Sequence, residues 1–213
     1  MADVQNSINI ASAFAKKWEG LASKSPNKIS YFSNIDSLDP NTIIYPYKDT
    51  SRGYSIGYGS FTENNNDGSN DLVGTTTTKA KSDEMLKSEM SEKESNIRNK
   101  ILVNLNDYQY AAILDYVYNA GTGAINYNNL LDTINNGGDV VSVLKRSAIT
   151  ADGNILSVLK NRRIDEGLLW NGELDSIYSK YLRNADFING IGISLALVGT
   201  FIYFYVKYKK KNF

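Results

Sequence analysis

Two carboxylic acids, Glu19 and Asp49, stand in sequence settings that favour opposite protonation states. Glu19 follows Trp18 at the end of an amphipathic helix predicted over residues 7–18, and apolar surroundings raise the pKa of a carboxyl group. Asp49 lies in a polar segment, residues 48–53, that predicts a tight turn where a carboxylate stays solvated and ionised. Such a pair suits the cleavage of glycosidic bonds, because one group protonates the leaving oxygen and the other activates water or stabilises the cation-like sugar. Each residue also has a plain structural interpretation, as a solvated helix end or as a turn residue bonded to its own backbone.

The amino-acid composition excludes most other kinds of catalytic site. The chain has no Cys and no His, which excludes disulfides, thiolate nucleophiles, Ser-His-Asp arrangements and the usual zinc sites. Acid–base chemistry must therefore come from Asp, Glu, Lys or Tyr. No cofactor and no metal site is predicted. Residues 64–71 are rich in oxygen ligands but lack the spacing of a calcium-binding loop, and we interpret them as a plain loop.

Two blocks of sequence follow the order and spacing of a known family. The first contains Trp18-Glu19-Gly20, Tyr47-Lys48-Asp49 and Ser55-Ile56-Gly57-Tyr58-Gly59; the second contains Gln109-Tyr110-Ala111-Ala112-Ile113, Tyr118-Asn119-Ala120-Gly121 and Asn161-Arg162-Arg163 with Glu166. Together they resemble the phage-type lysozyme (endolysin) family of glycoside hydrolases over roughly residues 10–172.

The resemblance implies a role for each candidate residue. Glu19 would be the general acid, Asp49 would position and activate the attacking water, and Ser55 would hold that water by its hydroxyl group. The implied substrate is the peptidoglycan glycan strand, cut at the β-1,4 bond between N-acetylmuramic acid and N-acetylglucosamine. Substrate contacts are expected from Tyr58, Asn119 and Asn128.

The sequence departs from the family in two places and leaves two alternatives open. Ser55 stands where the family usually has Thr, and residues 23–42, an insertion or long loop, separate Glu19 from Asp49 more widely than in the shortest members. Some relatives are lytic transglycosylases that use one Glu and no water, but the presence of Asp49 favours hydrolysis. A catalytically silent wall-binding or structural membrane protein of a virion is the other alternative. Arg162 and Arg163 are expected to form helix-surface or interlobe ion pairs with Glu166 rather than to contact the glycan peptide.

The hydrophobic patterns predict an α+β fold. Two short β-like runs, residues 42–47 and 54–58, flank the predicted turn, and the run of Thr from 75 to 78 is placed to cap a charged helix that reaches about residue 99. Further helical patterns cover residues 105–120, 128–136, 139–147, 161–170 and 174–184. We expect residues 1–182 to form one lysozyme-like catalytic domain, with a small N-terminal β-hairpin unit, a larger helical lobe and a cleft between them for an extended polymer.

The C-terminal part predicts a membrane anchor. Residues 188–206 carry no charge and match the roughly 17–25 helical residues that cross a hydrocarbon core. We expect a linker at 183–187, a single-pass transmembrane helix at 188–206 with the lipid bilayer as partner, and a basic tail at 207–213. The catalytic domain would face the peptidoglycan from a virion membrane or the host inner membrane. A buried core helix is the less favoured interpretation.

The net charge of the chain limits its expected partners, and its N-terminal residues limit the expected export route. Without the four lysines of the tail the chain has 19 basic and 23 acidic residues, a net charge of −4, so no nucleic-acid partner is expected. The first residues lack the basic start and apolar core of a secretory signal. The route by which the domain would reach the wall is therefore left open.

Overall fold

The computed structural model describes residues 2–21, 35, 37–50, 53–151 and 154–173. In chain order, the elements are α1 (Val4–Glu19), β1 (Ile43–Ile44), β2 (Tyr47–Thr50), β3 (Gly53–Ile56), β4 (Ser60–Glu63), β5 (Thr77–Thr78), α2 (Lys79–Ile97), α3 (Asp107–Ala120), α4 (Leu130–Asn135), α5 (Val140–Leu144), β6 (Thr150–Ala151), β7 (Asn154–Ile155) and α6 (Ser157–Trp170). Short 3-10 segments cover Arg98–Lys100 and Thr122–Asn129. The α+β class predicted from sequence is confirmed, with most strands in the N-terminal part and most helices after them.

The chain divides into two compact units. Of the described residues, those from 2 to 19 and from 84 to 173 form the first, which we call the helical unit. The described residues from 20 to 83 form the second, which we call the β unit. Each is considered by itself below.

Helix α3 is the centre of the helical unit. Its residues from 110 to 117 are all buried, which is typical of a helix enclosed on every side. Helices α1 and α6 pack against it, and α5 packs against α6. A capping box formed by Asn106 and Gln109 begins α3. The carboxylate of Asp107, the first residue of α3, accepts hydrogen bonds from the Asp3 backbone N–H and from the Asn6 side chain, so it fastens the start of α1.

Helix α1 presents one apolar side to this core. Its buried residues, among them Ile8, Ala11, Phe14 and Ala15, recur at intervals of three and four positions. The helix ends at Glu19 because Gly20 adopts a left-handed backbone conformation, with φ of +67°. The predicted helix over residues 7–18, delivering Glu19 at its C-terminal end, is confirmed.

The β unit is built on a three-stranded antiparallel sheet in the order β2-β3-β4. Tyr47 pairs with Ser55 and Lys48 with Tyr54, and an irregularity in the register follows Lys48. Gly53 lies where β3 passes close to β4, because a Cβ added there would lie 2.3 Å from the backbone oxygen of Thr62. A second antiparallel pair joins β1 to β5.

Several predicted boundaries require correction. Residues 48–50 and 53 belong to β2 and β3 rather than to a turn, and strands β4 to β7 were not predicted. Thr78 accepts a hydrogen bond from the Lys81 backbone N–H, so the predicted capping is confirmed there, although Thr77 and Thr78 also form β5. The helix predicted from residue 128 begins at Leu130 because Asn128 and Asn129 have positive φ angles.

The predicted anchor lies outside the described residues. No helix within the described parts of the chain is long and apolar enough to span a membrane. The predicted helix at 174–184, the linker at 183–187, the span at 188–206 and the tail at 207–213 fall beyond residue 173. Most of the predicted insertion at 23–42 is likewise not described.

Candidate active site

Glu19 is placed at the end of α1 with its side chain only partly covered. About a quarter of the side chain, 23%, is exposed to solvent, so the carboxyl group is largely desolvated but still reachable. The left-handed Gly20 directly after it turns the chain away from the helix axis. A carboxyl group in this position can exchange a proton with a ligand while most of its surroundings are protein.

One guanidinium group serves two carboxyl groups in the helical unit. Nη1 of Arg162 donates to Oε1 of Glu19 at 2.5 Å. Nε and Nη2 of the same residue donate to the two carboxylate oxygens of Asp115 at 3.0 and 2.8 Å. Arg162 and Asp115 are buried. The forked contact to Asp115 therefore fixes the guanidinium plane that Glu19 meets.

Burial raises the pKa of Glu19 above its ordinary value of 4.5, although the charge and hydrogen bond of Arg162 act to lower it. The neighbouring carboxylates of Asp115 and Glu89 add to the upward shift of this pKa. Burial by itself would lower the pKa of Arg162, but attraction to Asp115 and Glu19 raises it overall. Arg162 is therefore a permanent cation, and Glu19 is the group whose proton occupancy can change.

A second buried arginine lies beside the first. Nη2 of Arg163 donates to Oδ1 of Asn119 at 2.8 Å and lies 2.6 Å from Oε1 of Glu166. Its guanidinium stacks over the ring of Tyr116, 4.8 Å from the centroid. Burial raises the pKa of Glu166 well above its ordinary value, against the charge of Arg163, and Asp115 adds to that rise. Glu166 is therefore harder to ionise than a glutamate in water, although a guanidinium group lies beside it.

The ion pairs predicted between these arginines and Glu166 are present, but their predicted location on a helix surface or between lobes was wrong. Arg162, Arg163 and Glu166 are buried, and their described ion pairs lie within the helical unit. The charged residues of α6 were predicted to face solvent, because long charged side chains are rarely fully buried. The buried acids Asp115 and Glu166 offset the cost of enclosing the two guanidinium groups.

The β unit joins Asp49 to Ser55. Oγ of Ser55 donates to Oδ2 of Asp49 at 2.6 Å. Tyr47 is the direct partner of Ser55 in the β2–β3 ladder, and Asp49 lies two positions further along β2. The irregularity after Lys48 lies next to Asp49. Asp49 is exposed and Ser55 is buried, so a carboxylate open to solvent is held by a fixed hydroxyl group.

The three predicted substrate contacts lie in different settings. Tyr58 is buried and its hydroxyl group donates to Asp83 at 2.9 Å. Asn119 is half-buried and accepts from Arg163. Asn128 is exposed, and its amide nitrogen donates to Oγ of Ser147 at 2.9 Å. Its left-handed backbone, with φ of +51°, lies in the 3-10 segment before α4.

The structure brings together some predicted residues and adds others. It joins Asp49 to Ser55 in the β unit and gives Glu19 the partner Arg162 in the helical unit. Sequence reasoning missed Asp115, although a lone acid inside the apolar run of α3 signals a buried partner, because an unpaired buried charge is too costly. Within the described residues, no group of three or more acidic side chains is arranged to hold a metal ion.

Comparisons with known proteins place the chain in a family. The family model for phage lysozymes matches residues 43–166, which is more than half of the chain. This chain belongs to the phage lysozyme family. Its enzyme class, predicted from sequence as a glycoside hydrolase, is thereby confirmed. The matched range includes Asp49, Ser55, Asp115 and Arg162 and begins after Glu19.

Solved structures similar to this phage lysozyme include two from phages. One is an endolysin from Escherichia coli O157:H7 phage FAHEc1, with 19% identity, a TM-score of 0.53, and coverage of 78% of this chain and 90% of the other. The other is a mutant P22 lysozyme, with 23% identity, a TM-score of 0.54, and coverage of 75% and 94% respectively. At these identities the likeness shows the lysozyme-like fold. A comparison with curated protein sequences gives no significant match.

Proposed function

We propose that this chain hydrolyses peptidoglycan glycan strands at the β-1,4 bond between N-acetylmuramic acid and N-acetylglucosamine, with Glu19 as the general acid. The observation that carries the proposal is the setting of Glu19, a largely covered carboxyl group at a helix end whose pKa is raised by burial. An acid must hold its proton until the leaving oxygen takes it, and a raised pKa keeps it protonated nearer to neutral pH.

Asp49 and Ser55 supply the second half of the proposed reaction. Glu19 gives its proton to the glycosidic oxygen as that bond breaks and the sugar gains positive charge. Asp49 accepts a proton from water as the water attacks the sugar carbon. Because the hydroxyl group of Ser55 already donates to Asp49, its oxygen lone pairs are oriented to accept a hydrogen bond from the same water. Serine therefore fills the role that threonine fills elsewhere in the family.

Asn128 is the most accessible of the proposed sugar contacts. Its amide nitrogen is held by Ser147, so its carbonyl oxygen is presented in a fixed direction and suits a sugar hydroxyl or amide donor. The hydroxyl group of Tyr58 already donates to Asp83. The side-chain oxygen of Asn119 already accepts from Arg163. We propose that these two support the site mainly by shape, with any sugar contact made by their remaining atoms.

Product analysis tests the reaction. Purified peptidoglycan is digested with the full-length chain, with Glu19→Gln, and with Glu92→Gln as a matched control at an exposed glutamate on α2. We expect Glu19→Gln to lose about 100-fold or more of the rate, and Glu92→Gln to retain it. Hydrolysis leaves a reducing N-acetylmuramic acid end, which mass spectrometry distinguishes from the 1,6-anhydro end of a transglycosylase. Equal clearing by Glu19→Gln would show that Glu19 is not the acid, and the absence of digestion by all three chains would favour a non-catalytic wall-binding protein.

We further propose that residues 188–206 anchor the domain to a membrane. Support comes from the sequence, in which this charge-free run is followed by the lysines of residues 207–213. We expect the full-length chain to stay in the membrane pellet after an alkaline carbonate wash and a chain ending at residue 187 to move to the supernatant. Recovery of both in the supernatant would exclude the anchor. Detection in purified virus particles would indicate wall opening at infection, and detection only in infected-cell membranes would indicate host lysis.

A further inference from the structure

We propose that Asp115 is a positioning residue that sets the proton occupancy of Glu19 by competing with it for Arg162. This inference rests on the proposed role of Glu19 as the acid. Asp115 lies on α3, Arg162 on α6 and Glu19 at the end of α1, so three helices bring one cation and two carboxyl groups together. Asp115 touches neither water nor substrate in this scheme and acts only through Arg162.

The geometry favours Asp115 in this competition. Asp115 receives two hydrogen bonds from the guanidinium group, whereas Glu19 receives one. Paired parallel contacts between arginine and a carboxylate are stronger than single ones, and their planar fork fixes the orientation of the cation. Asp115 is also fully buried, while Glu19 is partly exposed. Its contact with Arg162 is therefore the less screened of the two.

The balance of charge around Arg162 therefore influences whether Glu19 holds a proton. A single positive charge lies between two carboxyl groups, and Asp115 neutralises most of it. Without Asp115, the full charge of Arg162 would act on Glu19 and favour its carboxylate form, against the effect of burial. Because Arg162 meets only Oε1 of Glu19, a proton on Oε2 is compatible with the ion pair and remains available to a ligand.

Other titratable groups near Glu19 in the helical unit act in the same direction or not at all. Glu89 on α2 raises the pKa of Glu19 as Asp115 does. Burial raises the pKa of Tyr118 on α3, so its hydroxyl group stays neutral. Glu166 lies 3.8 Å from Nε of Arg162, farther than the hydrogen-bonded oxygens of Asp115 and Glu19. Asp115 is therefore the carboxylate that shares Arg162 with Glu19.

Three substitutions separate this role from a structural one. Asp115→Asn keeps the shape but removes the competing charge, so Arg162 should favour ionised Glu19 and shift its titration to lower pH. Arg162→Gln removes the cation and should shift the titration of Glu19 to higher pH. Glu92→Gln is the control, because it removes an exposed carboxyl group on α2 that pairs with Lys93, and it should leave the titration of Glu19 unchanged. If the ion pair only stabilised the fold, the first two substitutions would not shift the titration of Glu19 in opposite directions.

The titration of Glu19 is measured by carbon NMR of its side-chain carboxyl group in the full-length chain labelled at glutamate, with Glu19→Gln providing the assignment. The pH profile of kcat/KM on peptidoglycan is recorded in parallel, and its alkaline limb should move to lower pH in Asp115→Asn. Circular dichroism establishes that each variant is folded. If one variant fails to fold, the other still tests the direction of the shift.

The outcomes distinguish this inference from the proposed function. No shift of Glu19 in folded Asp115→Asn, or shifts of the same sign in both variants, overturns the role of Asp115 while leaving Glu19 as the acid. Failure of both variants to fold assigns the contact to stability and also overturns it. An NMR shift without any movement of the activity profile supports the coupling but removes Glu19 from the rate-determining proton transfer.

Discussion

Ser55 and Asp49 are joined by a hydrogen bond of 2.6 Å across the β2–β3 hairpin. The bond depends on strand register, because Ser55 pairs with Tyr47 and Asp49 lies at the irregularity between Lys48 and Thr50. A slip by one residue would turn Asp49 to the opposite face. The hairpin therefore fixes the geometry of the two side chains that we propose to act on the attacking water.

Removal of the Ser55 hydroxyl group should weaken catalysis more than stability. We expect Ser55→Ala to lower kcat/KM on peptidoglycan by about tenfold or more, since it removes the donor that orients Asp49 and the acceptor proposed for water. The loss in unfolding free energy should be on the order of 1 kcal/mol, because Asp49 is exposed and water can replace the lost donor. Steady-state kinetics and urea unfolding measure the two effects.

Ser91→Ala is the matched control for this prediction. Ser91 lies on the exposed side of α2 and its hydroxyl group donates to the backbone oxygen of Lys87. Its replacement should leave both measurements nearly unchanged. Equal kinetics for Ser55→Ala and the wild type would show that water is positioned without the hydroxyl group.

Gly53→Ala should destabilise the sheet. An added Cβ would lie 2.3 Å from the backbone oxygen of Thr62 and 2.4 Å from the ring of Phe61, and the backbone oxygen cannot rotate away. We expect a loss of about 1–3 kcal/mol in unfolding free energy. Gly123→Ala is the control, because nothing lies within 4 Å of its added Cβ. Similar unfolding midpoints for the two variants would contradict the close approach of β3 to β4.

How much of the fold the sequence reveals depends on the length of each element. The apolar positions of α1 and α3 repeat at helical intervals over several turns, so both helices were predicted nearly to their ends. Strands β4 to β7 have two to four residues, which is too short for an alternating pattern to stand out. Positive φ angles at Asn128 and Asn129 delay the start of the predicted helix to Leu130, and helical periodicity carries no signal for such a backbone.

The candidate site was predictable where motifs lie close together in sequence. Asp49 and Ser55 are six positions apart, and the resemblance to the family motif implied that they act together. Arg162 lies 143 positions from Glu19, and its contact depends on the packing of α1 and α6 against α3. Hydrophobic periodicity predicts which face of a helix is buried but not which charged groups meet there. In the sequence, the only sign of this buried network of charged side chains was therefore Asp115, an acidic residue within an otherwise apolar helix.

Arg163 should be a major contributor to the stability of the helical unit. Its guanidinium binds Asn119 and Glu166 and stacks over Tyr116, so Arg163→Ala leaves a cavity and unpaired polar groups. We expect a loss of about 3–5 kcal/mol in urea unfolding. Lys93→Ala, which removes a surface ion pair with Glu92 at 3.7 Å, should cost less than about 1 kcal/mol. Comparable costs for both variants would contradict a buried role for Arg163.

Glu19→Gln should stabilise the protein at neutral pH and have little effect in acid. Burial raises the pKa of Glu19 in the folded state above its ordinary value of 4.5, so ionisation is more costly in the folded state than in the unfolded one. Stability contributed by protonated Glu19 is complete below the unfolded pKa and is lost as the pH rises through the folded pKa. Glutamine keeps the acceptor for Arg162 without that ionisation cost.

Urea unfolding of the wild type and Glu19→Gln across this range measures the difference. The gain in unfolding free energy should grow from near zero below the ordinary pKa to a plateau above the raised one. Glu92→Gln, at a glutamate whose side chain is largely exposed, should show no such growth. A gain that is greatest in acid and disappears at neutral pH would mean that the folded state prefers ionised Glu19. In that case Arg162, and not burial, would dominate the pKa of Glu19.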